Sequence, residues 1–295
     1  MILGGCSQLS TEKENNTEAV NSGKIQVYTT IFPLQDFTKK IGGENVQVEN
    51  IVPSGSDAHS FEPTLKTMTK IAEGDAFIYL GTGIEGFTDA VIDAVGNEEA
   101  KVINASEGIS LINSNESSEE EGAIDPHVWL DPGRAIQLAE NIKNSLIEIN
   151  PNQKDYFEQN YNKLKTSLEK LDLSFKTMVE ESPNKSFIVA HSAYGYWEDA
   201  YGLEQIGISG LSPTDEPSQK DLEKIIKNAK KTKVNYVLFE QNVENRVAEV
   251  IKREIGADTL TLHNLESLNE EDIRNNEDYI SIMKRNIETI RQVLK

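Results

Sequence analysis

The chain reads as an α/β protein of two lobes, each a four-stranded, mostly parallel sheet with flanking helices, joined by one long rigid helix. Three observations predict this. Short β-branched or aromatic runs bounded by Gly, Pro, Asn or Ser alternate with segments whose apolar residues fall three and four apart, the pattern of strands and amphipathic helices in turn. That alternation occurs twice. Between its two occurrences, residues 152–181 hold no Gly or Pro and keep helical spacing throughout. A length of 295 residues suits two units of roughly 150 residues.

In the first half, strands are predicted at 24–33 (KIQVYTTIFP), 46–53, 75–81 (DAFIYLG) and 101–105, with helices at 34–41 and 64–72. The second half repeats the scheme, with strands at 186–190, 205–208, 235–239 and 259–262 and helices near 194–201, 221–230 and 243–255. The long helix carries Tyr156, Phe157, Tyr161, Leu164, Leu168, Leu171, Phe175 and Met178 at helical spacing. Pro151 suits its first turn, and Ser182-Pro183-Asn184 stops it. At 1.5 Å per residue it spans roughly 45 Å, longer than one small lobe is wide, so it is expected to run along both. The expected division is a tether at 1–23, an N-terminal lobe at 24–150, the linking helix at 151–182 and a C-terminal lobe at 183–295.

Composition narrows the function. Lys and Arg number 29 against 49 Asp and Glu, a formal net charge of −20, which disfavours binding to nucleic acid and favours cations as ligands. The single cysteine excludes an internal disulfide and a multi-cysteine metal site, leaving His and carboxylates to hold any transition metal. That cysteine, Cys6, follows Leu3-Gly4-Gly5 and precedes a polar stretch, 7–22, with little to bury. The arrangement resembles the bacterial lipobox, which implies lipidation at Cys6 and attachment to a membrane through that lipid. No basic n-region and only a stub of an apolar h-region precede it, as expected if the sequence begins inside a signal peptide.

The four histidines concentrate the chemistry. His59 lies in SGSDAHSFEP, a turn-rich loop after a predicted strand. His127 lies in DPHVWLDP, where Asp-Pro pairs restrict the backbone on both sides and Asp125 is placed to orient the ring. His191 ends a predicted strand and opens AHSAYGYW. Side chains leaving the carboxyl ends of strands converge in the crevice of an open sheet, so imidazoles from both halves are expected to meet between the lobes. For a fourth ligand the residues leave Glu240, His263 and Glu266 open.

The order SGSDAHSFEP, DPHVWLDP, AHSAYGYW, GLSPTDEPS and LHNLESL, with a long helix between the second and third, resembles the metal-binding lipoproteins that feed zinc or manganese to bacterial ABC importers, and in particular their zinc type (ZnuA-like). The resemblance covers residues 24–295. It implies a monomeric, extracytoplasmic, lipid-anchored solute-binding protein that is not an enzyme and that hands its metal to a permease. It implies His59 and His127 as ligands from the first lobe and His191 and Glu266 from the second, with Glu240 and His263 in supporting or alternative roles. Three imidazoles and one carboxylate suit four-coordinate Zn²⁺ better than Mn²⁺, which prefers more oxygen. The manganese-type relatives carry a carboxylate where this chain has His191. Zinc-type relatives often have a His-rich loop before the second ligand, whereas here segment 113–121 is acidic, read as a solvated loop or a weak cation collector.

Two other classes compete with this reading. A zinc hydrolase would need an open coordination position and a base such as Asp125 or Glu62, and neither HExxH nor G-x-S-x-G occurs. A surface adhesin is compatible with a lipid anchor but has no sequence feature of its own. Because an imidazole must be neutral to bind metal, affinity is expected to fall as pH drops through about 6.5.

Overall fold

The computed structural model describes residues 23–96, 100–114, 123–232, 234–241 and 245–295. Cys6, nearly all of the expected tether, and all of the acidic segment except Asn113 and Ser114 lie outside them.

The first lobe is built from β1 (Ile25–Thr29), α1 (Phe32–Gly42), β2 (Val46–Asn50), α2 (Leu65–Ala72), β3 (Ala76–Tyr79), α3 (Thr88–Val95) and β4 (Lys101–Asn104). Two long helices follow, α4 (Pro132–Ile149) and α5 (Lys154–Glu181). The chain then forms β5 (Ser186–His191), α6 (Gly195–Tyr201), β6 (Glu204–Ser209), α7 (Gln219–Thr232), β7 (Tyr236–Phe239), α8 (Arg246–Ile255), β8 (Asp258–Thr261), α9 (Glu270–Arg274) and α10 (Tyr279–Val293). The sheets are all parallel and share one topology, β2-β1-β3-β4 and β6-β5-β7-β8. In each, the connections diverge on either side of the first strand, which opens a crevice at the carboxyl ends.

All eight predicted strands are present, and three end two or more residues earlier than expected, the runs to residue 53 and residue 81 stopping at Asn50 and Tyr79. The run expected to be strand through Pro33 ends at Thr29, because Pro33 sits in the first turn of α1, where its missing N–H leaves no bond unmade. Helices α3, α4, α9 and α10 were not assigned from sequence. The second Asp-Pro pair starts α4: Asp131 Oδ1 accepts from Gly133 N at 2.8 Å and Pro132 opens the first turn.

The long helix holds the molecule together. A 3₁₀ turn, Pro151–Gln153, leads into the 28 residues of α5, about 42 Å at helical rise. Its buried residues Phe157, Tyr161, Leu164, Leu168, Leu171, Phe175 and Met178 alternate spacings of four and three. Near its start, Asn160 Nδ2 donates to Ile41 O of α1 at 3.1 Å. Near its end, Phe175 stacks on Tyr201 with centroids 4.5 Å apart and meets Trp197 at 4.8 Å. The C-terminal helix returns to the first lobe, where Tyr279 packs edge-on against Phe37 at 4.9 Å. One apolar core therefore runs from the first sheet through α4, α5 and α10 to the inner face of the second. A separate cluster, including Ile188, Ile208, Val237 and Ile251, fills the outer face of the second sheet.

Hydrogen bonds between distant segments reinforce that core. Trp197 Nε1 donates to Leu130 O at 2.7 Å, Trp129 Nε1 to Asn264 O at 2.8 Å, and the Tyr196 hydroxyl to Asp125 O at 2.9 Å. Each satisfies a polar group that burial would otherwise penalise.

Candidate metal centre

Four side chains converge between the sheets. His59 comes from the loop after β2, His127 from the loop after β4, His191 from the last position of β5, and Glu266 from the loop after β8. One donor atom from each lies within 4.8 Å of all the others. His127 Nε2 is 3.4 Å from His191 Nε2, and Glu266 Oε1 is 3.7 Å from His59 Nε2 and 3.8 Å from His127 Nε2. Donors bound at about 2.0–2.1 Å to a tetrahedral ion stand about 3.3–3.4 Å apart, so these atoms lie close to the spacing that ion requires. His127, His191 and Glu266 are buried, and His59 is the one of the four nearest solvent. The buried His59 Nε2 has no hydrogen-bond partner, which suits a lone pair directed at a cation.

The rings are held from behind. Asp125 Oδ1 lies 2.9 Å from both the backbone N and Nδ1 of His127, so the proton sits on Nδ1 and the Nε2 lone pair faces the centre. Glu240 Oε1 stands 2.6 Å from His191 Nδ1, although the approach is off the line of a well-aligned hydrogen bond. Asp57 Oδ1 accepts from His59 N at 3.0 Å and turns that loop. Glu240 and Asp125 thus stand behind imidazoles, while Glu266 faces the centre directly.

His263 stands apart from the four. Its Nδ1 accepts from Leu265 N at 2.9 Å and its Nε2 faces Asp272 Oδ2 of α9 at 3.3 Å, so both ring nitrogens are engaged away from the four. Leu265 has φ 62°, a left-handed conformation that a branched side chain rarely adopts, and it immediately precedes Glu266. His263 therefore supports a strained turn that presents the carboxylate. Asn264, which the sequence reading passed over, donates to both Glu240 and Glu266. Its only sequence signal is its position inside LHNLESL.

The electrostatics separate the groups. Burial opposes charge on Glu266, but the His59 imidazole 3.7 Å away, with those of His127 and His191, holds its carboxyl down at about 2. Burial also opposes charge on His191, but the adjacent Glu240 carboxylate outweighs it and pushes the imidazole up to about 9. Burial, with the neighbouring His191 and His59, holds His127 well below the usual imidazole range. Burial lifts Asp125 to about 7. The fully buried Tyr194 hydroxyl has no hydrogen-bond partner and is pushed up by burial and by the charges of Glu240 and Glu266. Once His191 gives up its proton, three imidazole nitrogens and one anionic oxygen make a donor set suited to one borderline-soft divalent ion.

A buried centre of three imidazoles and one carboxylate between two parallel sheets narrows the comparison with known proteins. The model of the family described as zinc-uptake complex component A, periplasmic (ZnuA), matches residues 27–293. The chain belongs to this family. It is 36% identical over 301 residues to the zinc-binding lipoprotein AdcA of Streptococcus pneumoniae, covering 99% of this chain and 60% of that protein. The chain thus spans about three fifths of that relative's length. The crystal structure of the Zn(II)-bound ZnuA-like domain of the same AdcA superposes with a TM-score of 0.79 at 36% identity, covering 92% of this chain and 99% of that one. The high-affinity zinc uptake system protein ZnuA of Bacillus subtilis is 33% identical over 303 residues, covering 100% of this chain and 94% of that protein. The laminin-binding protein Lmb of Streptococcus agalactiae, described as bifunctional with adhesin and metal-transporting activity, gives a TM-score of 0.84 at 30% identity, covering 92% of this chain and 100% of that one. Both sheets and their connections are thus those of a known fold family.

Proposed function

We propose that this chain captures one Zn²⁺ between its lobes through His59, His127, His191 and Glu266 and delivers it to the permease of an ABC importer. The single observation that carries the reading is the donor spacing: three imidazole nitrogens and a carboxylate oxygen within 4.8 Å of one another. Protein donors replace the ion's aqueous shell, with His59, the least buried, as the first or last to engage. The reading places lobes at 24–150 and 183–295 around the helix 151–182. It has the protein act as a monomer outside the cytoplasm and hold to the membrane by a lipid at Cys6. Among the described residues no helix is long and apolar enough to cross a bilayer, which fits attachment by lipid.

Capture, not catalysis, fits the donor set: four protein ligands leave no open position for an activated water. Of the two carboxyls weighed as a base, Asp125 is committed to His127 and Glu62 is exposed. Elemental analysis of protein purified without added metal, followed by competition between Zn²⁺ and Mn²⁺, tests the reading. One equivalent of zinc that resists excess manganese is expected, and no bound zinc would overturn it. A second reading, surface adhesion, is favoured by the likeness to Lmb, and binding of the purified chain to immobilised laminin tests it.

A further inference from the structure

Beside the four donors lies a second buried carboxylate, Glu240, and what separates its role from that of Glu266 is one amide. Asn264 Nδ2 donates to Glu240 Oε2 at 3.1 Å and to Glu266 Oε1 at 3.0 Å, one N–H for each. Its Oδ1 accepts from Glu266 N at 3.1 Å, so the side chain grips both the backbone and the carboxylate of that residue. Its backbone carbonyl accepts from Trp129 Nε1, two residues beyond His127, which ties the same residue to the first lobe. Both of its carboxylate partners are buried, with Glu240 9% and Glu266 3% exposed.

We propose that Asn264 is the positioning residue that sets metal selectivity: it keeps Glu266 as the one carboxylate donor and holds Glu240 back behind His191. The inference rests on the zinc reading above. Two carboxylates on one cation would raise the oxygen count, which suits Mn²⁺ and not four-coordinate Zn²⁺. With one N–H on each, the amide offsets their mutual repulsion, fixes Glu266 facing the centre and restricts Glu240 from turning toward the ion. Without it, Glu240 is free to leave His191 Nδ1 and join the centre. The nitrogen-rich set then loses its oriented imidazole and gains an oxygen.

Two variants test this, Asn264→Asp and Asn264→Ala, each also made in a Glu266→Ala background. Asn264→Asp keeps the shape and the acceptor for Glu266 N and puts a negative charge in place of the donor. Asn264→Ala removes the donor, and with it that acceptor, without adding charge. Neither alters the backbone carbonyl that receives Trp129 Nε1, so the near-ultraviolet signature of that buried indole reports whether the fold persists, and where one variant fails to fold the other is read. Competition with a chromophoric chelator is expected to show Zn²⁺ affinity falling about 10- to 100-fold, with Mn²⁺ affinity falling less, so that the preference for zinc narrows. In the Glu266→Ala background the same change is expected to have much less effect. Equal losses for both metals, or losses that multiply independently of Glu266, would show a merely structural role and overturn the inference. Unchanged binding by folded variants, alongside a wild type that takes zinc, overturns it alone. A wild type that takes no zinc overturns the zinc reading and this inference together.

Discussion

His127 and His191, 64 positions apart in the chain and carried by opposite sheets, bring their Nε2 atoms to 3.4 Å. Each is backed on the Nδ1 side by a carboxylate, Asp125 at 2.9 Å and Glu240 at 2.6 Å. The pair forms two similar arms, each an imidazole with a carboxylate behind it, Asp125 hydrogen-bonded to His127 and Glu240 paired by charge with His191. Replacing either ring removes a donor, while replacing either acceptor loosens one.

His191→Ala is expected to lower zinc affinity by more than about a hundredfold, beyond the usual cost of losing a supporting group. His263→Ala is expected to lower it by no more than about tenfold, because that ring props the loop of Glu266 and faces no ion. It should instead cost about 1–3 kcal/mol of stability, since Leu265 N and Asp272 lose a buried partner. Chelator competition and thermal unfolding separate the two effects. Equal affinity losses would exchange the roles assigned here.

Proton competition should begin at higher pH than the sequence suggests. Simple imidazoles place the loss of affinity near 6.5, but Glu240 outweighs burial at His191 and pushes it up to about 9. Zinc binds the neutral ring, so below pH 9 it must displace a proton, and apparent affinity drops about tenfold per pH unit from this group. His127, held low by burial, adds no competition near neutrality, and Glu266, at about 2, stays ionised. Calorimetry at pH 7 in two buffers of different ionisation enthalpy should report close to one proton released from His191 per zinc. Glu240→Gln should shrink that release, and a heat independent of buffer would contradict the assignment.

Gly195 has no room for a side chain. A Cβ there would approach Asp125 Oδ2 to 2.4 Å, and Asp125 is the acceptor that orients His127. Gly195→Ala should therefore displace the carboxylate and reduce zinc affinity about 10- to 100-fold without touching a donor. Overpacking at this position should also cost about 1–3 kcal/mol. A variant with wild-type affinity would mean that Asp125 does not govern the ring.

Closure on metal should be small. A core continuous through α5 and α10, with indole and phenol bonds such as Trp197 Nε1 to Leu130 O, resists a wide hinge. Small-angle X-ray scattering is expected to give the same radius of gyration with and without zinc, and a marked contraction would refute this. Trp197→Phe, which strands the Leu130 carbonyl, should destabilise by about 1–3 kcal/mol.

Much of this was legible beforehand. Strand positions could be read because buried parallel strands are short apolar runs with marked ends, as in Phe187-Ile188-Val189-Ala190. The long helix could be read because nothing between Pro151 and Ser182 interrupts it. Helix α4 was hidden because Pro132 resembles a loop residue unless the Asp131 cap is recognised. Helix α10 was hidden because its burial depends on a neighbour, Phe37, more than 240 positions away in the chain.

Residue type and local order alone determined the alternation of strands and helices, the twofold repetition, and the choice of imidazoles and carboxylates over thiols. Chain spacing could not choose among Glu240, His263 and Glu266, since all three follow strands of the same sheet. The family resemblance pointed to Glu266, and the folded molecule supplies the physical separation: Glu240 backs His191, His263 is spent on Leu265 and Asp272, and Glu266 faces three rings. The physical reason is that a donor is defined by the direction of its lone pair, and that direction is set by hydrogen bonds from residues far apart in sequence.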